Sequence, residues 1–448
     1  MRLAVIVSLC LIPQDALQCS VKVENLPFHG KWQPERSACH CELQLLLISG
    51  LARHQFLTLT VRNVAQKGKA ELNPGKRCCS MEERIFRIFA INPGSTSTKL
   101  SLFENHKNIF TTDVFHDSSV LLTFPTINDQ LDYRMEVIYR FLDQDHIDMT
   151  GIDAVVGRGG GCYSVPGGIY RVDKRLIEDT RAAKGGLYHA SMLGVQMAEK
   201  IHQKYGGICI MMDPPIVDEL CDDARITGLK GVYRRAVSHA LNLKATARHH
   251  AKLTGRRYED CNYIVCHIDG GISITAHEHG RMIDGNDAGG GEGPFTPTRM
   301  GSLAITDGRR VLEGLSDEQI RDLCSQAGGL TNWFGTSNSD AVHKMVEKGD
   351  KVAIHVWNAM IYQVIKWIGM MSTPLKGNVD AILLTGGLLR FPEVGGRIKE
   401  SCSWIAPVFL YPGEFEQEAM AAGAMRVLTG EEEVKTYPGK PVWEGYKD

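Results

Sequence analysis

Apolar residues along this chain fall into short runs separated by polar, glycine-rich breaks, and three of the junctions share one design. Residues 88–91 (Ile-Phe-Ala-Ile) lead into Asn92-Pro93-Gly94-Ser95-Thr96-Ser97-Thr98-Lys99, and Leu100, Leu102 and Phe103 carry a second run closed by the polar break at 104–108. This pattern predicts strand, tight polar turn, strand. Residues 263–284 repeat it. Ile264, Val265 and Cys266 enter Asp269-Gly270-Gly271, an alternating strand follows, and His279-Gly280 turns the chain. Gly94 and Ser97 match Gly270 and Ser273 at one constant offset. A third apolar run, 381–384, ends in Thr385-Gly386-Gly387. An ordinary Ser/Thr-rich hairpin accounts for any one of these turns alone. All three together imply two related halves facing one nucleotide.

The rest of the pattern alternates strands and helices from residue 84 onward, which places the chain in the α/β class. Helices are predicted over 132–142, 189–204, most of 231–255, 350–371 and 419–428; further strands cover 152–156, 208–213 and 408–411. In 350–371, apolar or small residues at 353, 356, 357, 360, 361, 364, 365 and 368 form a wide core stripe. Trp357 and Trp367 therefore read as packing residues.

Several breaks carry candidate chemistry. Ser95, Ser97, Lys99 and the backbone amides of the first turn are suited to phosphate oxygens. Arg158 stands among the glycines of 157–161, either aimed into a cleft as a planar oxyanion donor or decorating a surface turn. His189 opens a helix, as a cap or as a ligand contact. Asp213 ends a strand before Pro214-Pro215, a position for a metal ligand or for a helix cap. Residues 287–302 hold five glycines and two prolines and cannot form a regular element. A long loop of this kind with one placed arginine, Arg299, reads as functional.

Composition narrows the class. At 448 residues there is room for two domains and an extension. A net charge of −2 argues against nucleic acid or an anionic membrane surface as partner. No apolar run approaches the roughly 18–20 residues that span a bilayer. Six of the 13 cysteines lie in residues 1–80; the other seven are single and form no C-x-x-C pair. Buried free thiols in a reducing cytosol are expected. Residues 1–80 carry ten Lys and Arg against five Asp and Glu, so the remaining chain bears −7. This segment reads foremost as sequence ahead of a start at Met81. It also reads as a loosely packed extension, or as an export signal, because 1–12 resembles a signal-peptide apolar region.

The quoted residues also carry a family likeness. NPGSTSTK at 92–99, GRGG at 157–160, HAS at 189–191, DPPIVDEL at 213–220, SHALN at 238–242, GEGPFTP at 291–297, LTGGLL at 384–389 and PGEFEQEAMAAGAMRVLTGEE at 412–432 resemble the butyrate kinases, in the acetate kinase branch of the actin-like ATPase superfamily. The likeness covers about residues 84–448, in order. It implies two ribonuclease-H-like domains with a nucleotide cleft between them. The first would take residues 84–214, completed by about 418–440; the second would take 215–417; residues 1–83 would lie outside the fold.

The resemblance also implies ATP and Mg²⁺, a homodimer or larger assembly, a cytoplasmic setting, and the reaction butanoate + ATP = butanoyl phosphate + ADP. By position, Asn92 resembles a phosphate-contacting Asn, and His239 the His that stabilises the transferring phosphoryl group. Asp213 and Glu416 resemble the metal-associated carboxylates, with Glu414 and Glu418 near the second. Arg299 resembles the Arg that binds phosphate or the substrate carboxylate; Arg158 stands where acetate kinases have a His and is taken, with Arg299 and His239, to screen charge, and with His189 to contact the substrate. His267, Gly270 and Gly271 fall in the second phosphate turn, and Gly386 and Gly387 in the adenosine turn. Met192 and Asp269 depart from the pattern, where the family has Asn and Gly. Two alternatives follow: a kinase for another short or branched acid (isobutyrate, acetate, propionate), and a catalytically silent nucleotide-binding protein.

Overall fold

Two β-sheets of one plan organise residues 84–446. In this computed structural model the described residues are 5–11, 17–23, 84–186 and 188–446. The chain divides into two compact units, Met1–Met81 and Glu82–Asp448. In the first, β1 (Val5–Leu11) and β2 (Leu17–Val23) pair antiparallel. The expectations for residues 1–80 otherwise fall outside the described residues.

In the second unit, one sheet contains β3 (Arg87–Pro93), β4 (Ser97–Glu104), β5 (Lys107–Phe115), β6 (Ile152–Arg158), β7 (Ile169–Arg171) and β8 (Ile208–Met212). Its order is β5-β4-β3-β6-β8-β7. The other contains β9 (Asn262–Ile268), β10 (Ile272–Glu278), β11 (Arg281–Gly285), β12 (Ala381–Gly386) and β13 (Val408–Pro412), in the order β11-β10-β9-β12-β13. Each sheet opens with a three-stranded antiparallel meander; one parallel strand pairs with the meander's first strand and a second parallel strand pairs with that one. The matched offset of Gly94/Ser97 and Gly270/Ser273 is thus explained: both pairs sit at the turn between first and second strands.

Helices fill the faces. α1 (Leu131–Gln144) and α2 (Gly194–Tyr205) cover one face of the first sheet, where Met135, Ile138, Leu142, Val195 and Ile201 share a core with Phe89 and Ile91. α3 (Ala240–Leu253) lies on β9 and β12. α4 (Lys351–Met371) is capped by Asp350, whose carboxylate accepts the Val352 and Ala353 N–H groups. It buries the expected stripe, and Trp357 is in the core with its Nε1 donating to Glu393. α5 (Glu416–Leu428) follows β13 of the second sheet but packs on β3, β6 and β8 of the first. Met420, Ala421 and Ala424 meet Ile88, Ala90 and Val156 there.

Two predicted helices are shorter than expected. The one expected over most of 231–255 begins only at Ala240. Arg234 is drawn out of any helix by an ion cluster with Asp284 and Glu292 and by the carbonyls of Ala224 and Gly285. The one expected from His189 begins at Gly194, after a 3₁₀ turn at Ala190–Leu193.

Candidate active site

Three elements distant in sequence bring one polar group together. Asn92 is the next-to-last residue of β3, Arg158 ends β6 and Glu416 begins α5. Asn92 Nδ2 donates to Glu416 Oε2 at 2.7 Å, and Arg158 Nη1 pairs with the same oxygen in a very short contact. Glu416 is buried, and its Oε1 accepts no hydrogen bond from the described chain. Arg158 Nε is buried with no partner.

Beside this group His239, just ahead of α3, stacks on His267 of β9, with ring centroids 4.0 Å apart. Ser273 Oγ accepts the His239 backbone N–H at 3.2 Å and meets His239 Nδ1 at 2.8 Å. His267 Nδ1 faces Asn242 Nδ2 at 2.8 Å. The Asn242 amide is oriented by the Phe415 N–H, which donates to its oxygen, so its nitrogen is the donor and His267 carries its proton on Nε2. His189 Nδ1 accepts the Ser191 N–H at 3.1 Å, with the same consequence. Burial lowers all three rings below the ordinary histidine range. For His267 the value is about 4; for His239 the neighbouring His267, Arg299 and Arg158 act with burial; for His189 the cations are Arg158 and Arg299. Three neutral imidazoles therefore lie together, and His189 and His267 offer Nε2–H donors.

The 287–302 loop folds onto the second glycine turn. Thr296 and Thr298 hydroxyls both donate to the Gly270 carbonyl, at 2.6 and 2.8 Å. This lays the Arg299 guanidinium over Gly271, where a Cβ would stand 2.4 Å from Nη1. Arg299 Nε and Nη1 are buried without partners, and burial lowers its pKa. Unpaired buried donors of this kind call for an anion. Asp269 staples the second turn to the third: Oδ1 accepts the Gly270 N–H at 2.7 Å and Oδ2 the Gly387 N–H at 2.6 Å. Gly386 has φ of 109° and lies so close to β9 that a Cβ would stand 2.3 Å from the Ile268 carbonyl.

Asn92, Arg158, His239, His267, Gly270, Gly271, Arg299, Gly386, Gly387 and Glu416 thus belong to one linked set, and His189 lies near enough to feel both arginines. Ser95 is exposed at the tip of the first turn, and the Ser97 carbonyl closes that turn on the Gly94 N–H at 2.8 Å. The Lys99 cation acts on Glu414. Glu414 sits 3.7 Å from His267 Nε2; partial burial, Glu416 and Asp269 push its carboxyl up to about 7.

Asp213 Oδ1 accepts the Gly168 N–H at 2.7 Å and Oδ2 pairs with Arg248 at 3.0 Å. Burial opposes its charge, and Arg248 and Lys244 outweigh that and hold the carboxyl below the ordinary range. It is an anchor between β8 and α3. Among the described residues no three His, Cys, Asp or Glu side chains are grouped to hold a metal ion by themselves.

Sequence reasoning missed Asn242 and Arg134. Asn242 is fully buried one turn after His239; Arg134 is 1% exposed, on the apolar stripe of α1 formed by Leu131, Met135, Ile138 and Leu142. A lone polar or charged residue on such a stripe is the signal that was available.

Comparison with known proteins bears on this geometry. A model of the acetokinase family matches residues 228–391. A probable butyrate kinase of Enterococcus faecalis is 42% identical over 352 residues, covering 78% of this chain and 97% of that protein. Butyrate kinase 2 of Clostridium acetobutylicum is 40% identical over 354 residues, covering 79% and 99%. The structure of Porphyromonas gingivalis acetate kinase superimposes with a TM-score of 0.61 at 18% identity, over 77% of this chain and all of that one. A Francisella tularensis propionate kinase gives 0.60 at 16%, over 75% and 98%. The fold is therefore the two-sheet actin-like ATPase fold expected from the sequence.

Proposed function

The chain belongs to the acetokinase family, and from that premise we propose that it phosphorylates a four-carbon carboxylate, butanoate or a branched relative, with ATP, giving the acyl phosphate and ADP. The observation that carries the reading is the pair Arg158 and Arg299, both with buried unpaired N–H groups, beside the imidazole Nε2–H donors of His189 and His267. Such a set screens and aligns anions, and this reaction brings two anions together. A carboxylate oxygen of the acid attacks the γ-phosphorus in line. The new O–P bond forms as the bond from phosphorus to the bridging oxygen breaks, and ADP leaves with that electron pair. Neither a covalent enzyme intermediate nor a general base is required, since the acid is already ionised at neutral pH. Arg299 and Arg158 offset charge on the transferring group and the incoming carboxylate. His239 and His267 donate hydrogen bonds to the phosphoryl oxygens, each such donor being worth on the order of 3–4 kcal/mol in the transition state.

Mg²⁺ fits the donor set, since this ion takes one or two carboxylates and completes its shell with phosphate oxygens and water. Glu416, through Oε1, is the carboxylate we assign to it; the ion supplies charge neutralisation on the β- and γ-phosphates. We also assign residues 84–214, completed by about 418–440, and residues 215–417 as the two domains, because α5 packs on the first sheet while β9–β13 form the second. Among the described residues no helix is long and apolar enough to cross a membrane, and the seven cysteines there are free. These thiols support a reducing, cytoplasmic setting.

The test is hydroxamate detection of acyl phosphate over a panel of C2 to C6 acids. Each buried methylene is worth about 0.8 kcal/mol, so C4 and branched C4–C5 acids should exceed acetate by tenfold or more in kcat/KM. Equal use of acetate overturns the chain-length assignment. Nucleotide binding without acyl phosphate from any acid overturns the activity.

A further inference from the structure

The first glycine turn has a buried cation behind it. Arg134 of α1 is 1% exposed and directs its guanidinium at the backbone of residues 94–97. Nη1 donates to the Gly94 carbonyl at 2.9 Å and reaches the Ser97 carbonyl at 3.5 Å; Nη2 donates to the Ser95 carbonyl at 2.6 Å; Nε donates to Gln130 Oε1 at 3.1 Å. Three carbonyls of one tight turn thus face the same side chain. The N–H groups of Ser95 and Thr96 donate to no other part of the described chain, and both residues are exposed. Pulling the carbonyls to one side leaves these amides for the other, the arrangement of an anion-binding backbone concavity.

Among the described residues the guanidinium has no counter-ion. Burial pulls its pKa down to about 10, so it stays charged at neutral pH, and no carboxylate acts on it. The titratable neighbours do not offset it. His116, whose N–H donates to the Thr96 carbonyl and whose Nε2 meets the Thr98 hydroxyl at 2.8 Å, is held neutral by burial and by Arg134 itself. The other neighbour is the Tyr133 phenol. A buried unpaired cation is costly to a fold, and carbonyl dipoles compensate only in part.

We propose that Arg134 is a positioning residue for phosphate. It holds the 94–97 turn with the Ser95 and Thr96 amides outward, and its missing counter-anion is a phosphate of the bound nucleotide. The inference rests on the phosphotransfer reading above. It separates two roles: Arg299 and Arg158 act at the reacting groups, whereas Arg134 acts through the turn and its field, so its removal should weaken nucleotide binding and spare the acid.

The test compares the full chain with Arg134→Met and Arg134→Lys. It measures KM for ATP, KM for the acid, and the rise in melting temperature caused by ADP and by inorganic pyrophosphate. For Arg134→Met the ATP KM should rise tenfold or more, the acid KM should stay within twofold, and the pyrophosphate-induced rise should vanish. Arg134→Lys keeps the charge but not the fork and should recover part of each. A folded Arg134→Met protein with the original ATP KM and the original pyrophosphate response overturns the proposal. So does a fall in kcat alone, which would mark a structural role, or a lack of response to both ligands in the unsubstituted protein. Should Arg134→Met fail to fold, Arg134→Lys decides: a three- to tenfold rise in ATP KM supports the proposal and an unchanged value overturns it. If no acid yields acyl phosphate, the activity reading fails by itself, and the ligand-induced melting shifts still decide the role of Arg134.

Discussion

Asn242 donates its side-chain N–H to Nδ1 of His267 across 2.8 Å, and this one contact determines which ring nitrogen faces the cleft with a proton. The same amide group reaches Thr385 Oγ1 at 3.3 Å, while its oxygen accepts the Phe415 N–H at 3.2 Å. One fully buried side chain on α3 thereby ties together β9, β12 and the approach to Glu416. Replacing it by Asp puts an acceptor opposite Nδ1 and should draw the proton there, away from Nε2. The expected cost is on the order of 10- to 100-fold in kcat, with about 1–3 kcal/mol of stability from the unsatisfied neighbours. Imidazole ¹⁵N shifts report the tautomer directly; a proton still on Nε2 of His267 in Asn242→Asp would contradict the argument.

Arg299 lies in a Gly/Pro loop and supports little core. Arg299→Ala should cut kcat/KM by about two to three powers of ten, as for loss of one oxyanion donor, with an unchanged circular dichroism spectrum. Lysine should rescue only part of the rate because it lacks the planar fork. Near-original rates in folded Arg299→Ala protein would remove this residue from the site.

Glu416 and Asp213 should separate under a Mg²⁺ titration. Glu416→Gln removes the charge of the carboxylate assigned to Mg²⁺ and should raise the Mg²⁺ requirement while lowering kcat. Asp213→Asn instead breaks the pair with Arg248, whose side chain keeps 25% exposure. A loss of about 2–3 kcal/mol is expected, less than for a fully dry pair, visible as a melting point several degrees lower. A raised Mg²⁺ requirement in Asp213→Asn without loss of stability would assign Asp213 to the metal instead.

Acid should destabilise the fold in a defined window. Burial brings His116 and His267 down to about 4 from 6.5. Above pH 6.5 neither state binds the proton. Between 6.5 and 4 the unfolded chain takes it and the folded chain does not, so stability falls as pH falls, by at most about 3 kcal/mol for each ring. His239 and His277, also depressed by burial, act in the same direction. Glu414 acts oppositely: with its carboxyl raised to about 7, its contribution is largest below pH 4.5 and is lost as pH rises to 7. Its side chain is 41% exposed, so solvent screening keeps this small. Urea unfolding midpoints at pH 7.5, 6 and 5 should decline, and His116→Gln should flatten the slope. A midpoint independent of pH would contradict the buried-imidazole account.

The sequence alone determined the features that depend on near neighbours. Apolar alternation and glycine placed the turns at 93–97, 269–271 and 386–387, because strand period and the breaks that end it are local demands. The stripe at 353–368 placed α4, and the density of glycine and proline marked the loop of Arg299. Propensity failed at 231–239, where Arg234 finds Asp284 and Glu292 fifty or more residues away and no helix can form around it.

Only the tertiary structure decided which charges meet. Glu416 joins Asn92 and Arg158 because α5 leaves the second sheet and packs on the first. Asp213 becomes an ion pair because α3 carries Arg248 past the end of β8. Arg134 and Asn242 acquire their roles by burial, since a side chain that reads in sequence as one more polar helix position must, once out of water, spend every donor on a partner. For both residues those partners are the backbone and side chains of the cleft.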